Sequence, residues 1–169
     1  SAFNQDITNW DLDNVTTVRD MFFASGFNNG EVAGASNKPL TWNMEKVENF
    51  YGMFRSNASF NQPIGSWTTS SATNMERMFD RATRFNQPLT NWNTSNVTTM
   101  LAMFQLASTF NQDLSHFNTA NVKDMNSMFW SATKFNQDIS SWNISNVTTF
   151  RNLLEKTSFT TENYEKLLK

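Results

Sequence analysis

The chain has 169 residues, of which 17% are charged, and a formal net charge of −2; this is length for one buried core, with no block of like charge to track a nucleic-acid backbone. Cysteine is absent, which excludes thiol catalysis, disulfide bridges and cysteine-ligated metal, and no apolar run approaches the ~20 residues that cross a bilayer. Sixteen Phe, six Trp and nine Met supply the apolar inventory, while Asn, Thr and Ser rather than charge make up the polar remainder.

Along the chain one unit recurs. It opens at Phe3 with FNQDI, returns in degenerate form at Phe27 with FNN, and then appears as FNQ at Phe60, Phe85, Phe110 and Phe135, each 25 residues after the last. Phe159 begins what would be a seventh copy. The unit at Phe27 is 8 residues longer than its sisters, and the extra length, around Gly30 to Asn37, reads as a loop. The chain starts at Ser1, only two residues before a repeat Phe, which predicts that it is part of a longer array.

Each unit has two halves. The first, FNQDI, alternates as a short strand does, although Pro63 and Pro88 replace its Asp in two copies and remove an amide from any ladder. The second places Val97, Met100, Phe104 and Ala107 on one helical stripe, preceded by a TSN segment suited to capping. At the end, TENYEKLLK predicts a capping helix over about 160–169. One unit alone buries about seven apolar side chains at ~2 kcal/mol each, against at least ~25 kcal/mol of backbone ordering, so stability must belong to the array. The expected fold is an α/β repeat solenoid, a stack of about six coils. Each coil carries a short strand and a short helix, and the coils start near 3, 27, 60, 85, 110 and 135.

The stretches FNQDISSWNISNVTTF at Phe135 and FNQPLTNWNTSNVTTMLAMF at Phe85, with the terminal TENYEKLLK, resemble the BspA-like leucine-rich-repeat surface proteins, the bacterial domain of unknown function 285. The resemblance runs from Phe3 to Leu168. It implies a right-handed leucine-rich-repeat-like stack on a lipoprotein or secreted adhesin at the cell surface or outside the cell, binding a host or neighbouring-cell protein or glycan. Membrane attachment would then come only through an anchor missing from this chain. No catalytic residues are carried over.

Candidate chemistry is sparse. His116 is the one histidine and has no nucleophile in its motif, DLSHF, where Phe117 follows in place of the usual Trp. Asp113 and Asp138 share a repeat phase, which would put them roughly 5 Å apart, a spacing that can hold Ca²⁺ or support glycoside hydrolysis. Trp130 follows the repeat Phe129 and has no aromatic counterpart at its offset in the later regular copies. The Asn of FNQ recurs as Asn4, Asn28, Asn61, Asn86, Asn111 and Asn136, a column expected to bond neighbouring coils. Threonine pairs at Thr16, Thr98 and Thr148 raise ice binding, but Glu48 and Lys123 interrupt the rank. The expectation is a non-catalytic binding module with Trp130, His116, Asp113 and Asp138 as its candidate site. The alternative is a structural spacer, with an enzyme the weakest reading.

Overall fold

A computed structural model describes residues 3–167 of the chain. Its coils are stacked through hydrogen bonds between positions one repeat apart. Isolated parallel bridges link Thr17, Asn49, Asn74, Thr99, Asp124 and Thr149 in sequence. From each bridge onward every second N–H donates to the next coil: Met100, Ala102, Phe104 and Leu106 reach the carbonyls of Asp124, Asn126, Met128 and Trp130 at 2.8–2.9 Å. The intervening N–H groups close turns within the coil, as Met103 does onto Met100 at 3.1 Å and Ala107 onto Phe104 at 3.1 Å.

This corrects the expected α/β organisation. Among the described residues there are isolated bridges instead of strands, and the single helix is α1, Thr161–Leu167. The stripe Val97, Met100, Phe104, Ala107 is inward-facing as expected, but consecutive turns meet that spacing as well as a helix does. Two residues decide between them. Ala102 (φ 53°) and Leu106 (φ 57°) are left-handed, and the same two offsets are left-handed in all six coils, Gly52 (φ 58°) filling one of them. Each non-glycine residue in this state costs about 1–2 kcal/mol, which the inter-coil bonds that the same residues donate must offset. The FNQDI segment is likewise not a strand; its neighbours are joined through side chains.

Those side chains form the expected Asn column. The Oδ1 of Asn4, Asn28, Asn61, Asn86 and Asn111 accepts the backbone N–H of the next Asn in the row at 2.7–2.9 Å. The glutamine that follows strengthens the later steps: Gln112 and Gln137 donate Nε2 to the Oδ1 of Asn86 and Asn111 at 3.0 Å. A proline after the glutamine is therefore harmless. The row ends on α1, where the Thr160 N–H meets Asn136 Oδ1 at 2.9 Å and Asn163 Nδ2 meets it at 3.0 Å, taking the places of a next Asn and Gln. The predicted capping helix is thus present, with Leu168 and Lys169 outside the described residues.

Inside, two phenylalanines per coil stack with each other and with their neighbours. Phe104 and Phe110 have ring centroids 4.0 Å apart, and Phe104 lies 5.4 Å from Phe79 and 5.6 Å from Phe129, all near parallel. A second column holds Trp42, Trp67 and Trp92 at 6.0 Å intervals. Each indole also donates Nε1 to a carbonyl of the preceding coil, Trp92 to Ile64 at 3.0 Å and Trp142 to Leu114 at 3.0 Å. A buried indole thus finds its partner in the coil before it.

Candidate binding face

Many offsets of the repeat carry similar residues in most coils, because each is committed to a column or a side-chain row. Four offsets do not. They lie in the left-handed turn segment, on either side of the buried Met and Phe. One reads Arg19, Tyr51, Glu76, Leu101, Asn126, Arg151 and another Phe23, Arg55, Asp80, Gln105, Trp130, Glu155. The remaining two are the left-handed positions themselves, such as Asp20, Arg77 and Ser127 in one row and Arg81, Leu106 and Lys156 in the other. Inward residues of this segment, Met103 and Phe104, are fully buried, while most of the intervening side chains are partly or fully exposed, Asp80 and Ala102 being buried exceptions.

Five of the chain's six arginines stand on this face, together with Phe23, Tyr51 and Trp130. Arg and large aromatics are the residue types that dominate binding energy at interfaces. In the first coils they interlock: the Arg19 guanidinium lies 4.5 Å from the Tyr51 ring centre, and that of Arg55 lies 4.1 Å from Phe23. Arg77 pairs with Glu76 at 3.5 Å and with Asp80 at 3.3 Å, and Arg81 approaches Asp80 at 3.7 Å. Burial pushes the Asp80 carboxyl up from its ordinary value, against the pull of Arg77, Arg81 and Arg55. Asp80 Oδ1 and Arg55 Nε are buried and have no hydrogen-bond partner among the described residues, so the face holds polar capacity its own side chains do not use.

The sequence-predicted residues fall in two places. Trp130 belongs to this face; it is half-buried, and the Lys156 ammonium sits 5.1 Å from its ring centre. His116, Asp113 and Asp138 lie on another sector. There Asp113 Oδ1 accepts the Ser115 N–H at 2.8 Å and Asp138 Oδ1 that of Ser140 at 3.0 Å, bonds that lower both carboxyls from their ordinary range. Lys166 of α1 reaches Asp138 at 3.5 Å. A calcium ion would have to displace that ammonium, and no group of three or more His, Cys, Asp and Glu suited to a metal occurs among the described residues.

His116 has a structural partner. Its Nε2 lies 2.9 Å from the Leu89 carbonyl, the acceptor that a Trp at position 117 would use, judged from Trp92 on Ile64. Phe117 fills the column but has no N–H, and the adjacent imidazole supplies one. His116→Ala is expected to cost about 1–2 kcal/mol by orphaning that carbonyl. Phe117→Trp in the same background is expected to restore the loss, both read from urea unfolding midpoints.

The varied face has no motif to mark it; its signal in the sequence is the gathering of Arg and aromatic residues at four neighbouring offsets of the aligned coils. The Gly30 to Asn37 loop is elsewhere again, tied down by Asn28 Nδ2 on Val32 and Ala35 and by Asn61 Nδ2 on Gly34, with Val32 left 76% exposed.

Coils with a constant interior and one varied outer face define a tandem-repeat protein. The chain matches the family described as "Mycoplasma protein of unknown function, DUF285" over residues 1–100, 31–119 and 70–167, staggered placements that its own periodicity explains, and it belongs to that family. No curated protein and no solved structure matches it.

Proposed function

We propose that the protein is a non-catalytic binding module of adhesin type, acting at a bacterial cell surface on a protein or glycan of another cell. The observation that carries this reading is the gathering of five of the six arginines with Phe23, Tyr51 and Trp130 on four neighbouring offsets of the turn segment. A stack built only to space other domains apart has no reason to gather arginines and aromatics on one side. The likeness of the repeats to BspA-like surface proteins supports the location. A rigid array of this kind offers an extended surface on which non-repeating side chains select the partner.

The test is a screen of the purified chain against glycans, extracellular-matrix proteins and peptides, with and without Ca²⁺. A saturable ligand is expected whose affinity falls at least about tenfold with Arg55→Ala or Trp130→Ala, the loss typical of an interface anchor. His116→Ala and Asp138→Asn are expected to leave binding unchanged. Absence of any ligand for the folded chain favours the spacer reading instead.

A further inference from the structure

The varied face changes character along the stack. In the third coil all four of its offsets are charged, Glu76, Arg77, Asp80 and Arg81, and these residues pair with one another. In the fourth and fifth coils none of the four is charged. Leu101, Gln105 and Leu106 stand there beside Asn126, Ser127 and Trp130. The two coils are bonded directly, the Ala102 N–H to the Asn126 carbonyl at 2.9 Å and the Leu106 N–H to that of Trp130 at 2.8 Å. Their outer side chains therefore make one neutral patch, with further coils on either side of it.

The polar groups of this patch are hardly used within the protein. Trp42, Trp67, Trp92 and Trp142 each donate the indole Nε1 to a carbonyl of the preceding coil. Trp130 is half-buried, yet among the described residues its Nε1 has no acceptor, and the Gln105 amide, the Asn126 Nδ2 and the Ser127 hydroxyl have no hydrogen-bond partner either. Asn126 is nonetheless held in place, because its Oδ1 accepts the Arg151 N–H at 2.8 Å. The Lys156 ammonium lies over the Trp130 ring at 5.1 Å from its centre. That cover is loose, since the Lys156 side chain is 62% exposed and its carboxylate partner, Glu155, stands 3.9 Å away.

A flat ring with an unused N–H, beside two amides and a hydroxyl, offers an apolar surface together with neutral donors and acceptors. A pyranose answers to both, having a C–H face that can lie on an indole and a rim of hydroxyls that each donate and accept. An anionic group finds no cation within the patch. A protein interface needs a dry apolar centre, and none of the exposed large hydrophobic side chains among the described residues lies in these two coils. We infer, resting on the binding reading above, that the ligand is a neutral saccharide, held by a pyranose stacked on Trp130 with its hydroxyls on Gln105, Asn126 and the indole N–H. Lys156 moves off the ring to admit it.

The probes are maltose, lactose, cellobiose and methyl mannoside, with a sulfated heparin disaccharide as the charged counterpart, each titrated to millimolar concentration into the full chain and followed by amide and indole NMR. At least one neutral sugar is expected to shift the Trp130 indole N–H resonance saturably, that resonance being identified by its loss in Trp130→Phe. Affinity is expected to fall about tenfold with Trp130→Ala and about fivefold with Gln105→Leu, the losses of an anchor and of a hydrogen bond. Arg55→Ala is expected to change nothing, as is a rise from ~0.1 to ~1 M salt, because no ion pair takes part. Lys156→Ala is expected to leave binding equal or tighter. No shift from any neutral sugar, a shift from the heparin disaccharide alone, or sugar binding that survives Trp130→Ala overturns the inference. A protein ligand lost with Arg55→Ala and kept in Trp130→Ala overturns it as well, while leaving the binding reading in place. Should Trp130→Ala fail to fold, the indole shift in the unaltered chain and the loss in Gln105→Leu decide.

Discussion

Phe104→Ala is expected to lower the stability of the folded chain by about 3–5 kcal/mol, the cost of truncating a fully buried phenylalanine that its surroundings cannot collapse onto. Phe104 is 0% exposed and faces three rings, those of Phe79, Phe110 and Phe129, so the void would be walled on all sides by side chains already held by their own stacks. Contacts in a stack run only between neighbouring coils, and a central defect weakens the coupling of the two halves as well. Urea unfolding followed by Trp fluorescence should show a lower midpoint and a shallower transition. Phe159→Ala, at the end where one ring stacks on Phe135 at 6.5 Å, is expected to cost far less. Equal losses at the two positions would argue against a stack stabilised through its middle.

Asn86→Ala is expected to cost about 1–3 kcal/mol for each donor it orphans. Two are at stake. The Asn111 N–H has Asn86 Oδ1 as its partner at 2.9 Å, while Gln112 Nε2 keeps the Asn86 carbonyl at 3.2 Å as a second acceptor. Asn86→Asp retains an oxygen at the accepting position and is expected to recover most of the loss. The comparison isolates the acceptor from mere side-chain volume, and amide hydrogen exchange at Asn111 gives a local readout. Rapid exchange at that site in the alanine chain, restored to slow in the aspartate chain, is the expected pattern; slow exchange in both would remove the Asn column from the forces holding the coils.

The repeat and its interior were legible because both are matters of apolar spacing. Every stacked column, from Phe60 to Phe135 and from Trp42 to Trp142, follows from the 25-residue register. The Asn column was legible for a related reason, since an amide at a fixed offset has few uses other than bonding its neighbours. The backbone between the columns was not. Val97, Met100, Phe104 and Ala107 meet the pattern of a helix, and nothing at Ala102 or Leu106 announces left-handedness, because neither residue favours it. The inter-coil bonds select that conformation, and they exist only once coils are stacked. The role of His116 as the missing indole N–H depends equally on a neighbour one coil away, whereas Asp113 and Asp138 bond N–H groups only two residues on.

The left-handed pair in each coil also limits the alphabet of the varied face. At those two offsets the six coils carry Asp, Gly, Arg, Ala, Ser and Asn in one row and Ala, Ser, Arg, Leu, Ser and Lys in the other, with no proline, β-branched or aromatic residue among them. Proline cannot reach a positive φ, and branching at Cβ makes that region a steric outlier. The large rings, Phe23, Tyr51 and Trp130, occur only at the other two offsets. A combinatorial library built on this scaffold would therefore use two kinds of randomised codon per coil, unrestricted where the backbone is ordinary and drawn from small or unbranched side chains where it is not, so that diversity is added without discarding folded clones.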